Sequence, residues 1–442
     1  MEHTVQTSFR KFLVVWAGQL VSMIGIGLTA FSLGVYAFEK TNTATSVALI
    51  TLFTFLPSIL LRPIGGVLAD RFDPRTMMII GDLGSAAGLI FILAIMLTAD
   101  IQLWHIYVGV SCSSIFSALQ SPAYKASATD LLDKEQFSKG SGLVQLAESA
   151  KFLFSPIIAG ILLSITTIEV ILIINTGTFL IAILAVLIIR KNIKVEREDK
   201  EESNWMTDIQ EGWKEVVTNK GVLLLVLIIS LVTFYLGFLE TLIGPMLLSF
   251  TDAKTLGTFQ SVSAIGMLIS SLCIGIFTMT KKYASVLVMG LIMCGLSFSL
   301  LGISANIYFI MIAGFLFLSS LPFVNMSADV LVRKNIANEK QGRVWGIIGI
   351  LSQLGFIFAY SLAGFLADHV FNPLMQEGGV LASSVGQIIG TGPGRGIALL
   401  FIVVGLFVIL LAIVTSRSKL IKSLEENPGS ATPSEVGGVT YD

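Results

Sequence analysis

Gly65, Gly66, Val67, Leu68, Ala69, Asp70, Arg71, Phe72, Asp73, Pro74 and Arg75 form the stretch whose reading decides the fold. It sets four charges between two apolar runs, residues 46–68 and 76–97, each long enough to cross a bilayer at about 1.5 Å per helical residue. Charge that dense does not lie in lipid, so the stretch is predicted to be the tip of a helical hairpin at a membrane surface. Its arginines place that tip in the cytoplasm, because short loops rich in Lys and Arg stay there during insertion.

Composition agrees. Of the 442 residues 54% are hydrophobic and only 13% charged, with a mean hydropathy of +0.85, whereas charged residues make up about a quarter of a soluble globule. That excludes a soluble enzyme or a nucleic-acid-binding module and predicts an integral membrane protein. The cysteines, Cys112, Cys273 and Cys294, lie inside apolar runs, which argues against a disulfide framework or zinc site. The histidines, His3, His105 and His369, are scattered, so no metal site is predicted.

Working outward, twelve apolar spans are predicted: residues 12–38, 46–68, 76–97, 103–129, 140–164, 170–189, 221–250, 256–279, 283–303, 307–331, 342–367 and 396–416. The first is too long for the ~7 to 15 residue core of a signal peptide. An even number of spans puts both termini on one side. Assigning that side to the cytoplasm places 24 of the 28 Lys and Arg there. The organisation expected is an N-terminal tail (1–11), a six-helix half (12–189), a linker with an amphipathic helix (190–220), a second six-helix half (221–416) and a disordered tail (417–442). An internal repeat supports two halves: Glu135, Lys139, Gly142 and Gly160 match Glu339, Arg343, Gly346 and Gly364 at an offset of 204, and Pro122 matches Pro322 at an offset of 200.

The order Gly-x-Leu-Ala-Asp-Arg-x-x-x-Arg, carried by Gly66, Leu68, Ala69, Asp70, Arg71 and Arg75, resembles the loop between the second and third helices of the major facilitator superfamily. Asp73 and Pro74 stand where a glycine and a basic residue are usual, and Asp at the first position is common in the macrolide-efflux-like branch. The resemblance implies an all-α membrane fold of twelve helices in two pseudo-symmetric halves. It also implies that Gly66, Asp70, Arg71 and Arg75 form a conformational latch, with Asp130 and Arg333 as partners. Gly142, Pro156 and Gly160 resemble the glycine-and-proline motif of exporters in that superfamily; Lys151 and Ser155 replace glycines of the pattern.

The residues expected to carry chemistry are few. Glu148 and Lys151 lie near the middle of the fifth span, one helical turn apart. Eleven large apolar residues there gain about 3 to 7 kcal/mol on insertion while two central charges cost about 5 to 7, so the polar side must face protein or water. Ionisable groups at that depth line transport paths or proton relays; an internal ion pair that only completes packing is the alternative. Glu240 is a second candidate for protonation. Gln19, Ser22, Phe31, Tyr36, Phe55, Gln145, Phe234 and Tyr235 are candidates to line a cavity for an amphipathic solute.

The function expected is secondary active transport by alternating access: proton-coupled efflux of an amphipathic or lipophilic organic solute, by a monomer in a bacterial plasma membrane. The partners expected are the small-molecule substrate, protons and lipid. With no nucleotide-binding loop in the sequence, the energy source expected is the proton gradient, with no cofactor. An importing symporter or facilitator on the same fold is the first alternative, and a non-transporting receptor the second.

Overall fold

The computed structural model describes residues 9–190, 205–277 and 282–426. Linker residues 191–204 and the tail beyond 426 therefore lie outside the described residues, as does the side chain of Asp70. Among the described residues the chain is helical throughout, with no strand: α1 (Phe9–Thr41), α2 (Ala44–Arg71), α3 (Pro74–Thr98), α4 (Leu103–Leu131), α5 (Phe137–Leu153), α6 (Ser155–Ile165), α7 (Ile168–Arg190), α8 (Trp205–Thr218), α9 (Lys220–Leu248), α10 (Ala253–Ile276), α11 (Tyr283–Ile303), α12 (Ile307–Asn335), α13 (Asn338–Phe365), α14 (Asn372–Met375), α15 (Gly386–Ile389), α16 (Arg395–Arg417) and α17 (Lys419–Glu426). Eleven spans, α5 and α6 counted as one, are long and apolar enough to cross a membrane. The twelfth long helix, α4, is more polar because it carries Ser111, Ser113, Ser114, Ser117 and Ser121. It packs along α2 and α3, where Ser114 Oγ accepts from Ser58 N at 3.0 Å.

The hairpin tip is built by the two residues that depart from the usual loop pattern. Asp73 caps α3, accepting from Arg75 N at 3.0 Å, and Pro74 is the first helical residue, where its missing N–H costs nothing.

The contacts divide the chain into two compact units. One comprises residues 1–200, 238–265 and 359–400; the other comprises 201–237, 266–358 and 401–442. In the first unit two repeat-related glycines are points of backbone contact. A Cβ on Gly160 would sit 2.6 Å from the carbonyl oxygen of Ala253 at the start of α10. A Cβ on Gly364 would sit 2.5 Å from Cα of Thr45 at the start of α2. Only glycine permits either approach. The N-termini met there are capped differently. Asp252 caps α10 locally, accepting from Thr255 N at 2.8 Å, and hydrogen bonds from Thr255 hold its carboxyl below the usual range. The N-cap of α2, Thr43, makes no side-chain cap; Asp368 serves instead, accepting from Ala44 N at 3.0 Å and from Thr45 N and Oγ1 at 2.8 and 2.7 Å. Asp368 lies on a π-helical turn, Leu366–Phe371, that continues α13.

In the second unit α8 is fixed by ion pairs from Glu211 to Arg343 (2.6 Å) and Glu215 to Lys340 (2.8 Å). Val216 is buried, while Trp213 is exposed. The stretch after Arg417 differs from expectation, since residues 419–426 form α17 instead of a disordered tail. Its short sequence is amphipathic: Ile421 and Leu424 are buried, and Glu425 accepts from Tyr283 N and Ala284 N at 2.8 and 3.2 Å, capping α11.

Replacing Asp73 by Ala removes the α3 cap and is expected to lower stability by about 1 kcal/mol. Asp73→Asn, which keeps an accepting oxygen, is expected to cost less; thermal unfolding of the purified variants in detergent compares the two.

Candidate functional site

The fifth span is broken where Pro156 removes a backbone donor. α5 ends at Leu153 and α6 begins at Ser155. Ser155 Oγ donates to the Ile24 carbonyl on α1 at 2.9 Å, and Ser261 Oγ on α10 donates to the Leu153 carbonyl at 2.7 Å. The break is thereby tied to helices on two sides, and it holds Lys151 in the last turn of α5.

Lys151 interacts electrostatically with both Glu240 on α9 and Glu148 one turn back on its own helix. Neither carboxylate makes a direct ion pair with it among the described residues, so the three charges balance through space. The Glu240 carboxylate is instead held by Tyr360 on α13, whose hydroxyl donates to it at 2.5 Å. Tyr360 is only 2% exposed and its ring lies tilted against Phe55 of α2, ring centroids 5.6 Å apart. Glu148 and Lys151 are half-buried and Glu240 is exposed. Glu240 lies eight residues, about 12 Å, before the end of α9. An exposed carboxylate at that depth requires a polar or aqueous surrounding.

Structure thus brings together Glu148, Lys151, Glu240 and Phe55, all within the first unit, and adds Tyr360. Other expected lining residues fall elsewhere. Gln19 and Ser22 are buried between helices, each 1% exposed, and so do not open onto a cavity. Tyr36 lines a separate cavity of about 420 Å³ with Glu39, Glu169, Asp252 and Lys254. Phe31 packs on a small cluster of Leu28, Ala159 and Ile171. Gln145 is exposed on α5, and Phe234 and Tyr235, edge to face at 5.7 Å, belong to the second unit.

Around the hairpin tip, Arg71 is exposed, Arg75 is 1% exposed and Asp130 is half-buried. Arg333 is paired with Asp329 at 2.8 Å and lies over the Trp345 ring. Gly66 and Gly142 face open space, whereas Pro156 and Gly160 are buried. Sequence reasoning missed Tyr360 and Asp368. A tyrosine in an apolar run carries no periodic signal, and Asp368 falls just beyond the predicted span 342–367.

The sequence profile described as Major Facilitator Superfamily matches residues 15–359. The chain belongs to the major facilitator superfamily. It is 28% identical to macrolide efflux protein A of Streptococcus pyogenes over 365 residues, which are 81% of this chain and 90% of that one. To the staphyloferrin B transporter of Staphylococcus aureus it is 25% identical over 324 residues, 69% and 73% of the two chains. Among solved structures, the nucleoside transporter NupG superposes with a TM-score of 0.73 at 13% identity, covering 93% of this chain and all of that one. The protein is a multi-pass membrane transporter of this superfamily, with its twelve-helix fold, and not an enzyme.

Loss of Asp368 uncaps α2 and removes hydrogen bonds to a charged acceptor, each worth about 1.5 to 3 kcal/mol. Ala48, 2% exposed, lies under that contact, 2.8 Å from where a Cβ on Gly364 would sit. Labelling of an Ala48→Cys reporter by a membrane-impermeant maleimide is expected to rise severalfold when Asp368→Ala is added.

Proposed function

We propose that this transporter is a proton-driven exporter of amphipathic organic solutes that carry a basic amine, in a bacterial plasma membrane with both termini in the cytoplasm. The observation that carries the reading is the gathering of Glu148, Lys151 and Glu240 at one break in the membrane. The name of one relative, macrolide efflux protein A, supports the direction and the solute class. The excess of Lys and Arg in the tip and its sister loops supports the orientation.

In the empty site Lys151 is the counter-ion of both carboxylates. An ammonium on the solute competes with Lys151 for the same charge, and a proton on either carboxylate removes that charge and releases the solute. Solute and proton therefore exclude one another, and exchange of one for the other on opposite faces is antiport. The Tyr360 hydroxyl keeps Glu240 in place while its partner changes. The sequence-derived latch, Gly66, Asp70, Arg71 and Arg75, with Asp130 and Arg333, would act at the cytoplasmic face by favouring one of the alternating conformations.

In proteoliposomes with an imposed pH gradient, a lipophilic amine such as a macrolide is expected to accumulate against its gradient. Glu148→Gln or Glu240→Gln is expected to abolish the gradient-driven component while leaving exchange measurable. Transport indifferent to the pH gradient in the wild type, or unchanged in both variants, would exclude this reading.

A further inference from the structure

Asp82 lies eight residues into α3 and is 2% exposed. Its polar contact is with Gln19 on α1, whose Nε2 donates to Oδ2 at 3.5 Å, the long limit of a hydrogen bond. Gln19 is 1% exposed and receives a second, tighter hydrogen bond, from Gln120 Nε2 on α4 to its Oε1 at 2.5 Å. The two amides therefore form a chain, α4 to α1 to α3, in which half-buried Gln120 donates to buried Gln19 and Gln19 in turn donates to the carboxylate. No cation pairs with Asp82 among the described residues. α1 carries no charged residue between Lys11 and Glu39, and α7 carries none between Glu169 and Arg190. On α4 the neighbours are Gln120 and, one turn on, buried Tyr124 and exposed Lys125. α2 contributes exposed Arg62 and, at its end, exposed Arg71. Arg75 is two turns away on α3 itself.

A desolvated carboxylate with one long amide contact relieves its unbalanced charge by taking up a proton. Once protonated, its O–H is a donor and must find an acceptor. The chain supplies one without repacking: both amides rotate end for end, so that Asp82 donates to Gln19 Oε1 and Gln19 donates to Gln120 Oε1. Proton uptake at one buried atom would thus reverse the hydrogen-bond polarity across three helices.

We infer that Asp82 is a further proton-binding site of this transporter, whose occupancy is passed to α1 and α4 by the Gln19–Gln120 amide chain. It is separate from the group around Lys151 and does not depend on the function proposed for it.

The test is infrared difference spectroscopy of the full-length protein in lipid bilayers during a pH titration. It is run in a Glu148→Gln/Glu240→Gln background, so that neither of those carboxyls contributes. The expected result is a protonated-carboxyl C=O band that grows on acidification, changes together with Gln side-chain amide bands, and disappears in Asp82→Asn. In Gln19→Leu, which removes the donor to the ionised form and the weaker neutral acceptor for the protonated one, the band is expected to persist with its midpoint moved toward alkaline pH by about one unit. A titration identical in background and Asp82→Asn would overturn the inference. So would a midpoint unmoved in Gln19→Leu, which decides the matter even if Asp82→Asn does not fold.

Discussion

Three charges at a broken helix, set where a bilayer tolerates almost none, are the constraint on which the rest of this structure depends. Lys151 cannot be placed at that depth without negative partners, and Glu148 and Glu240 supply them from α5 and α9. The break that positions Lys151 follows from Pro156, and the backbone around it is satisfied by Ser155 and Ser261. Because the charges balance through space and not in a contact pair, the arrangement can exchange partners without first breaking a salt bridge.

Two close helix approaches belong to the same unit as that cluster. Gly160 and Gly364, equivalent in the internal repeat, let α6 meet the start of α10 and let α13 meet the start of α2 at backbone distance. The two copies then diverge, since α10 caps itself through Asp252 while α2 borrows Asp368 from a π-helical turn. A cap supplied by another helix is one that relative movement of the helices would undo, whereas a local cap would persist. The repeat thus conserves the close approach while making only one of its two copies breakable.

Much of this was legible in the sequence, and the exceptions have physical reasons. Span positions and the hairpin tip follow from hydropathy and charge density, whereas the predicted span 76–97 left out Asp73 and Pro74, which cap and open α3 in the structure. The depth of Glu148 and Lys151 follows from counting along a helix. What a single sequence does not encode is which helix lies opposite a given face. Gln19 has the composition of a cavity-lining residue yet is sealed against α3 and α4. Asp82, to which no local pattern draws attention, is buried beside it. Tyr360 could not be connected to Glu240 across 120 residues by any local rule. α17 escaped notice because eight residues are too few for a periodic signal to stand out from the polar tail that follows.

A thermodynamic cycle on the charge cluster bears most directly on these conclusions. Unfolding free energies would be measured in one lipid system for Lys151→Met, Glu240→Gln, Glu148→Gln and their combinations. If Lys151 is the shared counter-ion, removing it alone leaves two carboxylates unbalanced, so neutralising all three is expected to cost less than the single changes added together, by at least about 1 kcal/mol. Strict additivity would contradict the coupling between them and, with it, the central role assigned to Lys151.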